Sequence, residues 1–443
     1  MKVRGHCLWQ ALLQRKAVKG RKGARSTMSE WIAGEREKGD CRVTVEEGEE
    51  GIQLILTSSV IGQYEKQIRH VIFKTLECMG ITNLNIRVED KGALDCILQA
   101  RVEGAVYRMR NKTENIPWEG LDWKQEERNR GKEGKNEEKV AGERNCRGTE
   151  EKKTRLRRTM MFVNAQKPTL LKDPWIYGED CVILDLEDGV AEGQKDAARF
   201  TLFHTLREMD YRDCERIVRI NGLDTPYWKE DIRCAVAGGC DAIRIPKTES
   251  AEEVCTVEKE IERAEKEFGR EPGSVLIMAA VESARGVVKA LEICEASRRL
   301  FGIALSGGDY TRDLHTHITG TGVELQGARE NLVIAARAAG VQCFDTVYTD
   351  LDNQEGFQKE TQTIHLMGFD GKSIIHPGQI RLVHEIFTPT EKEIVFAEKV
   401  VEEIEEKRAQ GIGVFTVDGK MIDIAFYDGA KRVLKLAKAA GIY

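Results

Sequence analysis

The chain has 443 residues, 41% of them hydrophobic and 32% charged, with a formal net charge of −6, which calls for two or three domains. The acidic balance gives no global reason to expect nucleic acid as a partner, and the longest apolar run, VLIMAAV at 275–281, is too short to cross a bilayer. Twelve cysteines are scattered without a CxxC pair, which points to reduced thiols, a cytoplasmic setting and no zinc site.

The first 25 residues hold eight Lys or Arg and no acid, and no small-residue cleavage site follows the short apolar stretch CLWQALL. Residues 1–31 are therefore expected to be a disordered basic leader, with Met28 as a natural alternative start. From Cys41 the pattern becomes orderly. CRVTVEEGEEGIQLILTS predicts two strands joined by a Gly- and Glu-rich turn. VIGQYEKQIRHVIFKTLECMG places Ile61, Tyr64, Ile68, Ile72 and Leu76 at helical spacing and ends at Gly80, a favourable C-cap. NLNIRVEDKG and ALDCILQARVEGAVYRM add a strand and a helix, completing a small α+β domain over 32–110.

The composition then shifts. Between Lys124 and Arg158, 21 of 35 residues are charged, a run that buries too little apolar surface to offset its ordering entropy. Residues 111–155 are expected to be a flexible linker, and the halves on either side to fold independently.

After Arg158, strand-like runs alternate with helix-length segments. They are MMFVNA, CVILDLED, RIVRING, AIRIPKT, VLIMAAVES, LFGIALSGGD, FDTVYTD and KSIIHP. Eight β-then-α units over 156–443 predict a (β/α)8 TIM barrel, with a doubly wound open sheet as the alternative topology. No GxGxxG follows the first strand, which argues against a dinucleotide site.

The barrel reading gathers charge at one end. The second strand runs into Asp185, Glu187 and Asp188, and the third carries Arg219. Lys247 closes the fourth, Glu282 the fifth, Asp309 the sixth, Asp350 the seventh and His376 the eighth. Taken singly, Asp188 could cap the next helix and Lys247 could pair with Glu249 or Glu252. Taken together, a ring of carboxylates at the catalytic end suits a divalent metal with oxygen ligands, Mg²⁺ above all, with Arg219 and Lys247 to balance charge or hold an anion.

VILDLEDGV, VRINGLDT, IRIPKTES, VESARGV, IALSGGDYTRDL and GFDGKSIIHPGQI resemble the citrate lyase beta-subunit family within the HpcH/HpaI aldolases, itself similar to the malyl-CoA lyases. Upstream, GIQLILTSSV and VEDKGALDCILQARVEGAVYR resemble the gamma-subunit acyl carriers of the same complex, so the chain resembles a carrier–lyase fusion. The resemblance implies Mg²⁺-dependent cleavage of a citryl thioester to oxaloacetate and an acetyl thioester. It implies that Glu282 and Asp309 are metal ligands, with Glu282 also close to substrate, and that Arg219 binds a substrate carboxylate. It places Asp185, Glu187 and Asp188 around the metal's waters. It also implies a lid-like tail, VDGKMIDIAFY at 417–427, that in related lyases closes over a neighbouring subunit and offers Asp418 or Asp423. An alpha-subunit partner and a homo-oligomer are implied as well.

Three departures stand out. The carriers attach a phosphoribosyl-dephospho-CoA group to a Ser whose position falls at Lys38/Gly39 in AGEREKGD, and Lys cannot form that phosphodiester. Ser26, Thr27 and Ser29 are the nearby hydroxyls. The family's P-G-N after the first barrel strand is Asn164-Ala165-Gln166, and the acid usually preceding the metal-binding Asp is Gly308. Two further readings stay open: a stand-alone malyl-CoA or citramalyl-CoA lyase, and a degenerate scaffold of a lyase complex that carries no acyl group.

Overall fold

In the computed structural model of the protein the described residues are 30–123, 155–409, 414–423 and 425–443. The leader through Ser29, with Ser26, Thr27 and Ser29, and linker residues 124–154 lie outside them.

The N-terminal domain is a four-stranded sheet with two helices. Its strands are β1 (Trp31–Ala33), β2 (Cys41–Glu47), β3 (Ile52–Ser58) and β4 (Leu84–Asp90), arranged in the order β1-β2-β4-β3. Alternation along β2 turns Val43 and Val45 into the core, where both are fully buried. The strands β2 and β3 form as expected, yet they do not pair with each other. Both flank β4, β2 antiparallel and β3 parallel, because the chain leaves β3 through helix α1 (Ile61–Cys78) and returns as β4. Helix α1 buries Ile68, Val71, Ile72 and Leu76, a single stripe at helical spacing, and stops before Gly80 at φ +65°.

The second domain is a closed parallel barrel of β5 (Thr159–Asn164), β6 (Cys181–Asp185), β7 (Glu215–Arg219), β8 (Ala242–Ile245), β9 (Leu276–Val281), β10 (Leu300–Leu305), β11 (Gln342–Asp345) and β12 (Gly371–Ile374). All eight predicted strands are present in their predicted order, and closure removes the open-sheet alternative. Met160, Ile183, Ile217, Ala242, Leu276, Met278, Phe301 and Phe344 fill the interior below the catalytic end.

Between the domains lies helix α2 (Asp95–Met109), buried without interruption from Cys96 to Tyr107. Leu98, Val102, Ala105 and Val106 face the N-terminal sheet, whereas Ala100 and Tyr107 belong to the barrel's core. Its main neighbour is α3 (Lys195–Glu208), the crossover helix after β6. The helices pack closely at Gly104, where a Cβ would make ordinary contacts with Ala33 Cβ at 3.4 Å and Phe200 Cδ2 at 3.6 Å. Buried ions cross the seam: Arg101 grips Asp40 with two 2.9 Å bonds and donates to Thr201 Oγ1 and the Gln166 carbonyl. Glu103 meets His204 Nε2 at 2.6 Å, and Arg108 forks onto Asp196.

This seam corrects the expected linker boundary. Residues 111–123 pack rather than trail. Ile116, Leu121 and the fully buried Trp118 enter the barrel core, and Trp118 Nε1 donates to Glu230 Oε1 at 2.9 Å from helix α4 (Trp228–Gly238). The four apolar residues Ile116, Trp118, Leu121 and Trp123 precede the charged run, which opens only at Lys124. Burying one indole of that size contributes about 4–6 kcal/mol of transfer free energy. The two halves therefore share one packed seam, in which Ala100, Tyr107, Ile116, Trp118 and Leu121 of the first half join the barrel's core.

After the barrel, α5 (Glu391–Ala409), the hairpin β13 (Val414–Val417)–β14 (Lys420–Asp423) and α6 (Ala425–Ala439) form a C-terminal unit. Arg432 of α6 pairs with Asp370, just before β12, at 2.8 Å. Helix α6 also borders a cavity of about 650 Å³ with Leu300, Val341 and Gln342, at the strands' N-terminal ends. The tail is thus anchored at the end of the barrel away from the catalytic mouth.

Candidate active site

The β6 strand ends in a clamp. Asp185 accepts from the backbone N–H groups of Glu187 and Gly189 at 2.9 and 3.0 Å, which folds the LEDG segment back over the strand end. Lys195 Nζ donates to the Leu186 and Glu187 carbonyls, and Asn221 Nδ2 donates to the Leu186 carbonyl. The loop is therefore held from three sides. Arg219, register neighbour of Asp185 on β7, grips both Asp185 oxygens at 2.7 and 2.8 Å and places Nη1 2.8 Å from Glu187 Oε2. Burial would raise the Asp185 pKa, but Arg219 and the two N–H groups outweigh it and hold the carboxyl below its usual range.

Glu187 also meets Lys247 Nζ at 2.7 Å, so Lys247 points into the mouth and does not pair with Glu249 or Glu252. Burial is the largest influence on Glu187 and keeps its pKa raised despite both cations. Asp188 is 58% exposed, 3.6 Å from Arg219 and 3.9 Å from Lys247, and caps no helix. The three acids have three different situations: Asp185 is locked, Glu187 bridges two cations, and Asp188 faces solvent.

Across the mouth, Glu282 follows β9 and is 3% exposed, with neither carboxylate oxygen finding a hydrogen-bond donor. Burial first, and the neighbouring Asp309 carboxylate second, push its pKa up to about 8. Asp309 sits in the short helix Gly307–Asp313 that follows β10 and pairs with Arg312 at 2.6 Å. Two adjacent carboxylates, one buried without any donor, suit a divalent cation that takes one or two carboxylates and fills its shell with water and substrate. Among the described residues no three His, Cys, Asp or Glu side chains are grouped so as to hold a metal ion by themselves. A Cβ at Gly308 would meet nothing within 4 Å, so the departure there leaves open space.

The departing segment Asn164-Ala165-Gln166 is built into the rim. Asn164 Nδ2 donates to the Gly189 carbonyl, and Gln166 Oε1 accepts from Ala191 N at 3.2 Å. On its outer side lies the loop 34–40 of the N-terminal domain, where Glu37 meets Lys167 at 2.8 Å. Gly39, at φ +76°, would bring a Cβ to 2.8 Å from Thr169 Cγ2, while Lys38 is exposed. The Lys38/Gly39 position thus stands at the edge of the barrel mouth. Asp350 and His376 follow β11 and β12 and form no hydrogen bond or ion pair with the clustered acids and cations among the described residues. Asp350 is exposed, and His376 Nδ1 accepts from Gly378 N at 3.0 Å as a local cap. Asp418 pairs with Lys399 at 2.9 Å, in the same tail unit as Asp423 at the barrel's other end, so neither reaches the mouth of its own chain.

Sequence reasoning missed two features. Arg244, register neighbour of Arg219 on β8, is 1% exposed with an unpartnered Nε. Burial first, and repulsion from Arg219 second, draw its pKa down to about 10 against the attraction of Glu282, Glu187 and Asp185, so it stays charged at neutral pH. Its signal was an Arg at an inward position of a strand. The other is Thr346, whose Oγ1 accepts from Gly307 N at 2.8 Å and so holds the start of the Asp309 helix. Thr346 is fixed in turn by a buried network in which Asp345 binds Arg329 and Lys372, and Lys372 donates to the Thr346 carbonyl. No single-residue pattern announces such a relay.

The beta subunit of citrate lyase from Leuconostoc mesenteroides is 51% identical over 285 residues, covering 64% of this chain and 94% of the relative. The chain belongs to the HpcH/HpaI aldolase/citrate lyase family. Residues 158–377 match that family, 315–442 match the C–C bond lyases of the TIM-barrel fold, and 28–109 match the malonate decarboxylase delta-subunit carriers. The Escherichia coli K12 citrate lyase beta subunit is 46% identical over 66% of this chain and 97% of its own length. A (3S)-malyl-CoA thioesterase of Cereibacter sphaeroides is 32% identical over 65% of this chain. The crystal structure of Mycobacterium tuberculosis CitE in complex with magnesium, acetoacetate and coenzyme A is similar at 30% identity and a TM-score of 0.52, covering 63% of this chain and 98% of that one. This HpcH/HpaI family member thus carries a complete barrel behind a carrier-type domain.

Proposed function

We propose that the protein is a Mg²⁺-dependent citryl-thioester lyase of the citrate lyase beta type, with an acyl-carrier-type domain fused in front. The observation that carries this reading is Glu282, buried beside Asp309 with both oxygens lacking a donor, opposite an arginine held rigid by Asp185. In the reaction the tertiary hydroxyl loses its proton and becomes the carbonyl of oxaloacetate. The C–C bonding pair passes to the departing acetyl thioester as its enolate, and a proton added at carbon completes that product.

Glu282 and Asp309 would hold the Mg²⁺, which, when bound, lowers the cost of the oxygen anion that develops at the hydroxyl. Arg219 offers the substrate carboxylate its Nη1, which Glu187 can yield because Lys247 provides it with a second cation. The Asp185 clamp fixes the guanidinium plane, so orientation costs nothing at the moment of reaction. Burial of Glu282 would limit solvent competition for its carboxylate.

The assembly belongs to the reading as well. The relatives are named as beta subunits, which supports a separate alpha-subunit partner. A tail anchored away from its own mouth is placed to cover that of a neighbour, which supports a homo-oligomer, and the free cysteines support a cytoplasmic setting. With Lys38 at the family's attachment position, the substrate is expected to be a free CoA thioester and the phosphoribosyl-dephospho-CoA group to be absent from that residue.

Steady-state cleavage of citryl-CoA by the full chain tests the proposal. Activity should require Mg²⁺, and Glu282→Gln should lower kcat by more than about 10³-fold while the circular dichroism spectrum stays unchanged. Full metal-dependent activity in Glu282→Gln would remove that residue from the site.

A further inference from the structure

Arg244 is the one mouth arginine whose charge the described residues leave unanswered. Arg219 has Asp185 and Glu187, whereas Arg244 pairs with no carboxylate among the described residues and makes its hydrogen-bond contact to Met278 Sδ, 3.9 Å from Nη1. The two arginines are register neighbours on β7 and β8, and both guanidinium groups lie against the Phe162 ring, at 5.0 and 5.2 Å from its centre. They therefore form one cationic shelf under the mouth, of which only half is neutralised. A buried cation without a counter-ion lowers stability, and an anion arriving from the mouth removes that cost.

The substrate supplies such an anion. A citryl thioester carries two free carboxylates, one on the hydroxyl-bearing carbon and one on the CH2 arm that leaves with oxaloacetate. A malyl thioester carries only the first. The Glu282–Asp309 pair and Arg219 are committed to the hydroxyl and the carboxylate beside it, which leaves the arm's carboxylate without a partner. We infer that Arg244 receives this second carboxylate and sets the preference for citryl over malyl thioesters. The inference rests on the citryl-lyase reading and adds a specificity-determining residue to it. Arg suits the role because its planar fork binds a carboxylate through two parallel hydrogen bonds.

Calorimetric binding to the full chain in the presence of Mg²⁺ tests it without relying on turnover. Oxaloacetate carries both carboxylates, and glyoxylate, the corresponding malyl product, carries one. Wild-type protein should prefer oxaloacetate. Arg244→Met should weaken oxaloacetate by about 30-fold or more and change glyoxylate by less than about threefold, because only the first ligand loses a charge partner. The same variant should melt at a higher temperature than wild type, since an unpaired buried charge has gone. Arg244→Lys, which keeps the charge and the fold but loses the fork, should weaken oxaloacetate by about tenfold and spare glyoxylate. Equal losses for both ligands with a lower melting temperature would mark a structural cation and overturn the inference. An unchanged oxaloacetate preference in both variants would overturn it as well. Wild-type protein that binds neither ligand would overturn the lyase reading and this inference together.

Discussion

The seam between the domains and the mouth of the barrel both bury charged side chains, and they leave them in opposite states. At the seam Arg101 is saturated by Asp40, Thr201 and a carbonyl, Glu103 by His204, and Arg108 by Asp196. At the mouth Glu282 has two bare oxygens and Arg244 a bare Nε, although both are as buried as the seam residues. Burial of charge is common to both regions, so burial alone does not identify a functional site. What separates them is completion: a closed network holds the protein together, and an open one leaves polar atoms available to a ligand. Asp185–Arg219 stands between the two, closed on itself yet aimed at the open side.

The sharpest way to break the comparison is at the seam. Arg101→Met strands the Asp40 carboxylate and should cost about 3–5 kcal/mol of stability, read as a lowered denaturation midpoint. A cut between residues 124 and 154 should leave the halves eluting together under native conditions, and a barrel expressed from 156 onward should be poorly soluble. Separate elution of two folded, active pieces would return the molecule to two tethered units.

At the mouth, Arg219→Lys should reduce citryl-CoA turnover by about 30- to 1,000-fold, the equivalent of about 2–4 kcal/mol of lost transition-state stabilisation. Because Arg219 also forks onto Asp185, the melting temperature should fall too. Activity within twofold of wild type would end the anchoring role.

A smaller effect follows from Glu282. Its folded pKa is raised from the usual 4.5 to about 8, so the metal-free fold favours the neutral acid. The stability this contributes is fully present below the unfolded value near 4.5 and is lost as pH rises through about 8. Relative to Glu282→Gln, metal-free wild type should therefore weaken between pH 5 and 8. Mg²⁺ must displace that proton, so its affinity should rise by about tenfold per pH unit up to 8, measured by titration calorimetry in buffers of different ionisation enthalpy. A pH-independent Mg²⁺ affinity would take Glu282 out of the ligand set.

The smallest expected effect tests the relay behind Asp309. Thr346→Val leaves Gly307 N without its acceptor and should weaken Mg²⁺ binding by about three- to tenfold at a stability cost of about 1 kcal/mol. Thr346→Ser should restore both. Equal loss in the two variants would make the contact one of packing only.

Much of this molecule was legible along the chain. Strand ends at 185, 219, 282 and 309 share one end of the barrel because a parallel β/α alternation points every strand the same way, and the acids themselves are spelled out in LEDG, VES and GGDY. The helix over 61–78 and its stop at Gly80 followed from periodicity and a cap, both local properties. The seam was hidden for the converse reason. A fully buried helix such as α2 has apolar and charged residues on both faces, and Arg101, Glu103 and Arg108 look like an ordinary solvated face until Asp40, His204 and Asp196 arrive from other parts of the chain. Arg219 and Arg244 are likewise alike in sequence, each following an apolar residue in a strand. Only the pairing and register of the strands decide that one meets Asp185 and the other meets none, because the partner of a buried charge is set by which strands become neighbours and not by the residues beside it in the chain.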